Sequence, residues 1–452
     1  MDIVIVGAGK IGYTVASQLA LEGHGITLLE KNEDTLNHAL GTIDIAGFLG
    51  SGVNRYVLQE AKAGEADLFI ALTGNDEHNL LGCLIAKKLG AKNTIARVRQ
   101  PEYNSVIPII AEDLGLSMSV NPERETAMEI ARILEFPLAK KVETFAQGRV
   151  EMIDYEVDVN SPMYGKLVKD VFAHMRSALV CAVERGGEVL IPFGDFCFEK
   201  GDVMTIVAPA GNLSIFFKES GVKHQSIKKV IICGGGRPSF YLAEQLLSRH
   251  IRVSIIEHDA AVAQSLSEAL PNAEIIVGDG TSQEVLDEKG ISSADAFCCL
   301  TGIDEENILA AMYAKHIAPK IKTVTKINRT ELIPIVKPLG IGSIVSPKLI
   351  AADRVLSYVR AKQNGVGSGV LTMYSIVNNK AEAIEFEVSS GSKLINVPIR
   401  DLKLKDNIIL ACIIRNSQII SPRGNDALQS GDSVIVVTTH TGFDVLDDII
   451  RG

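Results

Sequence analysis

Over the first 136 residues, short apolar runs alternate with longer amphipathic stretches. Asp2-Ile3-Val4-Ile5-Val6 has no helical period, so it reads as a buried parallel strand. Similar runs fall near 26–30, 42–46, 67–72, 94–99 and 117–120, with helices between them. Val15, Leu19 and Leu21 give the first helix a core face, and Gly23 and Gly25 end it. Gly74-Asn75-Asp76 supplies the N-cap region of a helix carrying Leu80, Leu84, Lys87 and Lys88. Pro122 opens a helix over 122–135 that Pro137 closes. Strands alternating with helices predict a doubly wound parallel sheet. After a connector at 140–148 the period changes to two, at 152–159, 179–183 and 203–208, with Gly186-Gly187 as a hairpin turn and a second turn at 199–202. That is a small α+β module.

The pattern then repeats. Ile231-Ile232-Cys233-Gly234-Gly235-Gly236-Arg237 follows Val4-Ile5-Val6-Gly7-Ala8-Gly9-Lys10, and Glu257 falls where Glu30 does. The run 71–79 (Ala-Leu-Thr-Gly-Asn-Asp-Glu-His-Asn) matches 299–307 (Cys-Leu-Thr-Gly-Ile-Asp-Glu-Glu-Asn). Residues 177–209 align without a gap to 407–439. Arg185, Pro192, Gly194, Gly201 and Asp202 recur there as Arg415, Pro422, Gly424, Gly431 and Asp432, and Asn416-Ser417 stands for the first hairpin turn. The fold class is therefore α/β: two doubly wound parallel-sheet, Rossmann-like domains (1–136 and 227–362), each followed by a small α+β domain (140–224 and 370–452). Linkers are expected near 136–150, 218–228 and 362–371, the last flexible through Gly365, Gly367 and Gly369.

Gly7, Gly9 and Gly12 fit G-x-G-x-x-G, with a strand before, a helix after and an acid, Glu30, about 20 residues on. Gly7 permits the tight turn, Gly9 lets a pyrophosphate approach the backbone, and Gly12 lets helix and strand pack closely. The helix N-terminus then faces an anion. A carboxylate at Glu30 accepts from ribose hydroxyls and repels a 2′-phosphate, which favours NAD or an adenosine nucleotide over NADP. In the second loop Pro238 and Ser239 replace the hydrophobe and the last Gly, so Ser239 should push helix and strand apart, and whether this loop binds a ligand stays open. Thr73 and Thr301 end strands where ligands bind in such sheets, although N-capping would also explain them. Arg97, with Lys326 as counterpart, suits a pyrophosphate or an interdomain ion pair. Lys10 and Arg237 add positive charge inside the loops.

Composition narrows the choice. A net charge of -10 argues against nucleic-acid binding. No run approaches the ~20 apolar residues of a membrane helix, and the N-terminus enters a strand at once, so a cytosolic protein is expected. The seven Cys form no C-x-x-C, and Cys181, Cys233, Cys298 and Cys412 lie in apolar runs as buried thiols; the nine His show no zinc spacing. A dehydrogenase would need a placed acid/base. The period-two segments offer none, and His174, between His78 and His224, has no duplicated partner.

On the residues Gly7 to Gly12, Glu30, Leu72-Thr73, Asp76-Glu77, Asn79, 95–99 with 101–103, Gly201-Asp202 and Gly431-Asp432, the whole chain resembles TrkA-type regulatory subunits of potassium-uptake systems, built from tandem RCK domains. The resemblance implies a non-enzymatic protein peripheral to the inner face of the cell membrane. It implies a homo-oligomeric ring, a tetramer, under a TrkH-like potassium transporter, gated by NAD(H) or ATP/ADP. By position the nucleotide contacts are Gly7, Ala8, Gly9, Lys10, Ile11, Glu30, Ser51, Leu72, Thr73 and Arg97. In the second half they are Gly234, Gly235, Gly236, Arg237, Pro238, Glu257, Asp279, Thr301 and Lys326. Regulation of potassium efflux, or of another transporter, is the alternative, and a dehydrogenase a more distant one.

Overall fold

The computed structural model describes residues 1–145, 149–172, 175, 177–222, 226–364, 369–377, 380–416, 418–440 and 442–451. Gly148, His174, His224, Gly365, Gly367 and Ser417 lie outside them. The chain opens with β1 (Asp2–Val6), α1 (Lys10–Leu21), β2 (Gly25–Glu30), α2 (Glu33–Leu40), β3 (Ala46–Leu49), α3 (Arg55–Glu60), β4 (Leu68–Ala71), α4 (Asp76–Leu89), β5 (Asn93–Arg97), α5 (Ile107–Ile110), β6 (Met118–Val120) and α6 (Pro122–Glu135). It continues through β7 (Ala139–Phe145), β8 (Val150–Glu156), α7 (Val168–Phe172), β9 (Leu179–Arg185), β10 (Glu188–Leu190), β11 (Val203–Pro209) and α8 (Leu213–Ser220). The first pattern then returns as β12 (Lys229–Cys233), α9 (Arg237–Ser248), β13 (Arg252–Glu257), α10 (Ala260–Ala269), β14 (Glu274–Val277), α11 (Gln283–Glu288), β15 (Ala296–Cys299), α12 (Asp304–Ile317), β16 (Lys322–Lys326), α13 (Ile333–Val336), β17 (Ser343–Val345) and α14 (Pro347–Asn364). The last strands are β18 (Val370–Ile376), β19 (Ala381–Glu387), β20 (Ile408–Arg415), β21 (Gln418–Ile420) and β22 (Ser433–Thr438).

These elements gather into two compact units, each drawing on both halves of the chain: 1–131 with 227–356, and 132–226 with 357–452. The first unit holds two parallel sheets, ordered β3-β2-β1-β4-β5-β6 and β14-β13-β12-β15-β16-β17. In each, the strand order reverses beside the first strand, and the crevice at the carboxyl ends of the strands there is where doubly wound sheets take ligands. β4 and β15 are buried at every position, as expected for strands covered on both faces. The two sheets' domains meet through Tyr241, whose hydroxyl donates to the Arg99 carbonyl (3.3 Å) and accepts from Asn121 Nδ2 (3.2 Å).

The second unit holds two antiparallel sheets of matching topology, β10-β9-β11-β8-β7 and β21-β20-β22-β19-β18. Small side chains meet between them: Cys181 and Ala182 from one sheet, Ala381, Ala383, Ala411 and Cys412 from the other, all buried in one cluster. Gly186 and Gly187, at φ +59° and +86°, make the two-residue turn joining β9 to β10.

Four expectations change. The third strand lies at 46–49, because Thr42 and Ile43 donate back to the Ala39 carbonyl and close α2 instead. Leu21 is 81% exposed, since the face set by Val15 and Leu19 turns away by the last residue of α1. The connector at 140–148 is largely β7, an edge strand paired with β8. Gly369 of the expected flexible linker is tied down, its carbonyl accepting from Glu387 N (2.7 Å).

Candidate functional site

The first crevice is built at the end of β1. Gly7 sits at φ +99°, which an L side chain rarely adopts, and a Cβ there would lie 3.1 Å from Thr73 N. The chain end of β4 is therefore pressed against the loop; Leu72 N donates to the Val6 carbonyl (2.8 Å). A Cβ on Gly12 would collide with the Gly7 carbonyl, whereas one on Gly9 would meet nothing within 4 Å. Close packing and an open approach are thus assigned to two different glycines. Gly9 N-caps α1 without a side chain, and Ile11 is buried in its first turn.

The Glu30 carboxylate lies over this loop. Its Oε2 accepts from Ala8 N (2.7 Å), and its Oε1 accepts from Lys31 N (2.8 Å) and Asn32 N (3.0 Å). It remains half-buried. Ser51 follows β3 nearby: Gly50 N donates to the Glu30 carbonyl (2.9 Å), and a Cβ on Gly52 would strike Val6. Gly7 to Ile11, Glu30, Ser51, Leu72 and Thr73 therefore share one edge of the sheet.

Arg97 ends β5 on the same edge. Its Nη2 lies 4.0 Å from Glu123 Oε1, and its Nε is buried with no hydrogen-bond partner. Burial, and then the neighbouring Arg99 charge, holds its guanidinium below the usual arginine range. Lys10 lies beside Lys348 from the second half.

The second crevice repeats the plan but is more enclosed. Gly235 N donates to Glu257 Oε2 (2.5 Å), and Glu257 is only 7% exposed. A Cβ on Gly235 would lie 2.6 Å from Leu266 Cδ1, so α10 crowds the loop. Gly234 abuts Thr301 as Gly7 abuts Thr73. Pro238 and Ser239 are buried in the first turn of α9, behind Gly236 and Arg237, and the Ser239 Oγ is buried with no partner. Arg237 donates to Gln100 Oε1 (3.0 Å). Asp279 accepts from Thr281 N (2.8 Å) and Thr281 Oγ1 (2.7 Å), which holds its carboxyl below the usual range. Lys326 turns its Nζ onto the Leu300 carbonyl (2.8 Å), unlike Arg97.

Sequence reasoning missed what fixes these strand ends. Asn79, fully buried on α4, accepts at Oδ1 from Thr73 N (2.9 Å) and Thr73 Oγ1 (2.6 Å), and donates at Nδ2 to the Arg97 carbonyl (2.9 Å). Asn307 likewise accepts from Thr301 N (2.9 Å) and donates to the Lys326 carbonyl (3.0 Å), while the Thr301 hydroxyl donates to the Ile303 carbonyl (3.1 Å). Asp76 receives Arg99 N (2.7 Å) and Gln100 N (2.9 Å), and Asp304 receives Asn328 N and Arg329 N (2.8 Å each). The signal was their exact recurrence in the duplicated run. Among the described residues no cluster of His, Cys, Asp and Glu could hold a metal ion, and no helix is long and apolar enough to cross a membrane.

Two doubly wound domains with glycine-loop crevices, each followed by an antiparallel module, define a tandem Rossmann-type class of protein. Models of the TrkA-N domain match residues 3–122 and 230–347, and models of the TrkA-C domain match 152–221 and 383–451. The chain belongs to the TrkA family. It is 30% identical over 453 residues to a Trk system potassium uptake protein TrkA homolog from Archaeoglobus fulgidus, covering all of both chains. It is also 30% identical to TrkA of Halomonas elongata, covering 96% of this chain and 95% of that one. The GsuK RCK domain has the same fold, with a TM-score of 0.65 at 18% identity, covering 96% of this chain and 92% of that one.

Proposed function

We propose that the chain is the nucleotide-sensing regulatory subunit of a membrane potassium-uptake transporter, with NAD(H) as the ligand of its first crevice and ATP or ADP as competitors there. The observation that carries this reading is the Glu30 carboxylate, half-exposed over a loop whose Gly9 leaves the backbone open. Ribose hydroxyls would donate to Glu30, and the pyrophosphate would lie against the N-terminus of α1, with Lys10 and Arg97 supplying charge. Thr73, Leu72 and Ser51 would border the nucleoside. The potassium-uptake names of the full-length relatives support the transporter, and a fold neighbour described as the GsuK channel bound to NAD (TM-score 0.66) supports the ligand class.

The ligand shifts a conformational equilibrium only by its differential affinity for the two states. The partner would be a TrkH-like subunit at the inner face of the membrane, with the regulator as a tetrameric ring. Calorimetric titration with NADH, NAD, ATP and ADP tests the ligand. A saturable site preferring NAD(H) to NADP(H) is expected, and absence of binding by all four overturns the reading. Potassium uptake by vesicles holding the transporter, with and without the regulator and nucleotide, tests the gating.

A further inference from the structure

An asparagine side chain carries two N–H donors on its nitrogen and two lone pairs on its oxygen. At Asn79, near the start of α4 and fully buried, all of them are engaged. Its Oδ1 accepts from Thr73 N and Thr73 Oγ1, and its Nδ2 donates to the Thr73 carbonyl (3.2 Å) and to the Arg97 carbonyl. One side chain thus ties the residue that ends β4 to the residue that ends β5. Leaving any of these buried groups unmet is costly, so the two strand ends are held at a fixed offset.

Arg97 depends on that tie more than its neighbours do. Its Nε is buried with no hydrogen-bond partner, and its Nη2 lies 4.0 Å from Glu123 Oε1, too far for a hydrogen bond. The aim of the guanidinium is therefore set chiefly by where β5 places its backbone. The second half differs. Asn307 ties Thr301 to the Lys326 carbonyl, but Lys326 Nζ is also anchored on the Leu300 carbonyl (2.8 Å). The lysine head is held by its own hydrogen bond, and the arginine head is not.

We propose that Asn79 is a positioning residue of the first crevice. It does not touch the nucleotide. By locking the end of β5 to the end of β4 it delivers the Arg97 guanidinium to the pyrophosphate while Thr73 borders the nucleoside. A charge-assisted contact of this kind is geometrically demanding, so a displaced Arg97 loses much of its worth. The proposal rests on the reading that the first crevice takes NAD(H).

The test is a double-variant cycle, read by calorimetric titration of the full chain with NADH. Asn79→Asp keeps an oxygen for Thr73 and loses the donor to Arg97. Asn79→Ala loses both and adds no charge near the guanidinium. Asn79→Asp should weaken NADH roughly tenfold in the parent, and less than about twofold where Arg97→Ala is already present. Asn79→Ala should likewise lose much less affinity in that background. A tie that served stability alone would cost the same affinity in both. Losses of equal size in the two backgrounds, for either variant, overturn the proposal, as does unchanged NADH affinity in Asn79→Asp. If Asn79→Ala does not fold, the aspartate cycle decides alone. If the parent binds no NADH, the reading of the crevice has failed and this proposal falls with it, whereas an additive cycle in a parent that binds overturns this proposal only.

Discussion

One added methyl at Gly12 tests the packing of the first loop more sharply than any other change. It would drive into the Gly7 carbonyl, and overpacking of this kind costs about 1–3 kcal/mol. Gly12→Ala should lower the denaturant midpoint accordingly. The equivalent position in the second half already holds Ser239, whose buried hydroxyl has no partner. Ser239→Ala should therefore be neutral or stabilising by up to roughly 1 kcal/mol; a loss of stability would mean the hydroxyl is satisfied in solution. At Glu30 the concern is recognition. Glu30→Ala removes the ribose acceptor and the repulsion of a 2′-phosphate, so NAD should bind more weakly and NADP should gain relative to it. An unchanged NAD/NADP affinity ratio would remove Glu30 from the ribose. These single residues were legible in the sequence because glycine spacing and a distant acid are local signals. The role of Asn79 was not, because its partners, Thr73 and the Arg97 carbonyl, are brought together only by the parallel sheet.

At the scale of elements, the antiparallel modules are held by a latch that the repeat displayed without revealing its purpose. Asp202 is buried beneath Arg185, which reaches it with Nε and Nη2 (2.7 Å each), and Asp202 also accepts from Glu199 N (2.8 Å). Arg415 and Asp432 repeat the arrangement. The aspartate thus ties the end of β9 to the turn before β11. Removing one partner of a buried pair typically costs about 3–5 kcal/mol. The guanidinium is partly exposed and can regain water, so Asp202→Ala should fall near the lower end, about 3 kcal/mol, in chemical denaturation. The strands themselves were readable from period and burial. β3 was displaced because Thr42 and Ile43 satisfy the end of α2, a choice that apolar periodicity does not encode.

For the whole molecule, the repeat was visible in the sequence but the difference between its halves was only half visible. Pro238 and Ser239 mark the second loop as altered. The crowding of Gly235 by Leu266 of α10, and the deeper burial of Glu257, needed the fold. The first crevice should hold the tighter ligand. Gly9→Asp, which places a carboxylate in the open approach, should abolish the high-affinity phase of a nucleotide titration while the fold survives. Gly236→Asp should leave that phase in place. A tenfold separation of the two phases corresponds to ~1.4 kcal/mol. If Gly236→Asp removes the tight phase, the second half is the sensor.

The interleaving of two units along one chain makes each of them, in effect, a dimer whose subunits share a backbone. Covalent linkage replaces a concentration-dependent encounter with an intramolecular one, so the seams of the intact chain should be indifferent to dilution. A fragment ending at residue 226 would keep one parallel sheet and one antiparallel sheet but lose both companions, leaving the Cys181 and Ala182 face bare. Because the missing faces are near copies of those retained, a second fragment can stand in for them. Such half-chains should sediment as dimers that fall apart on dilution, and their melting temperature should rise with protein concentration, where that of the full chain does not.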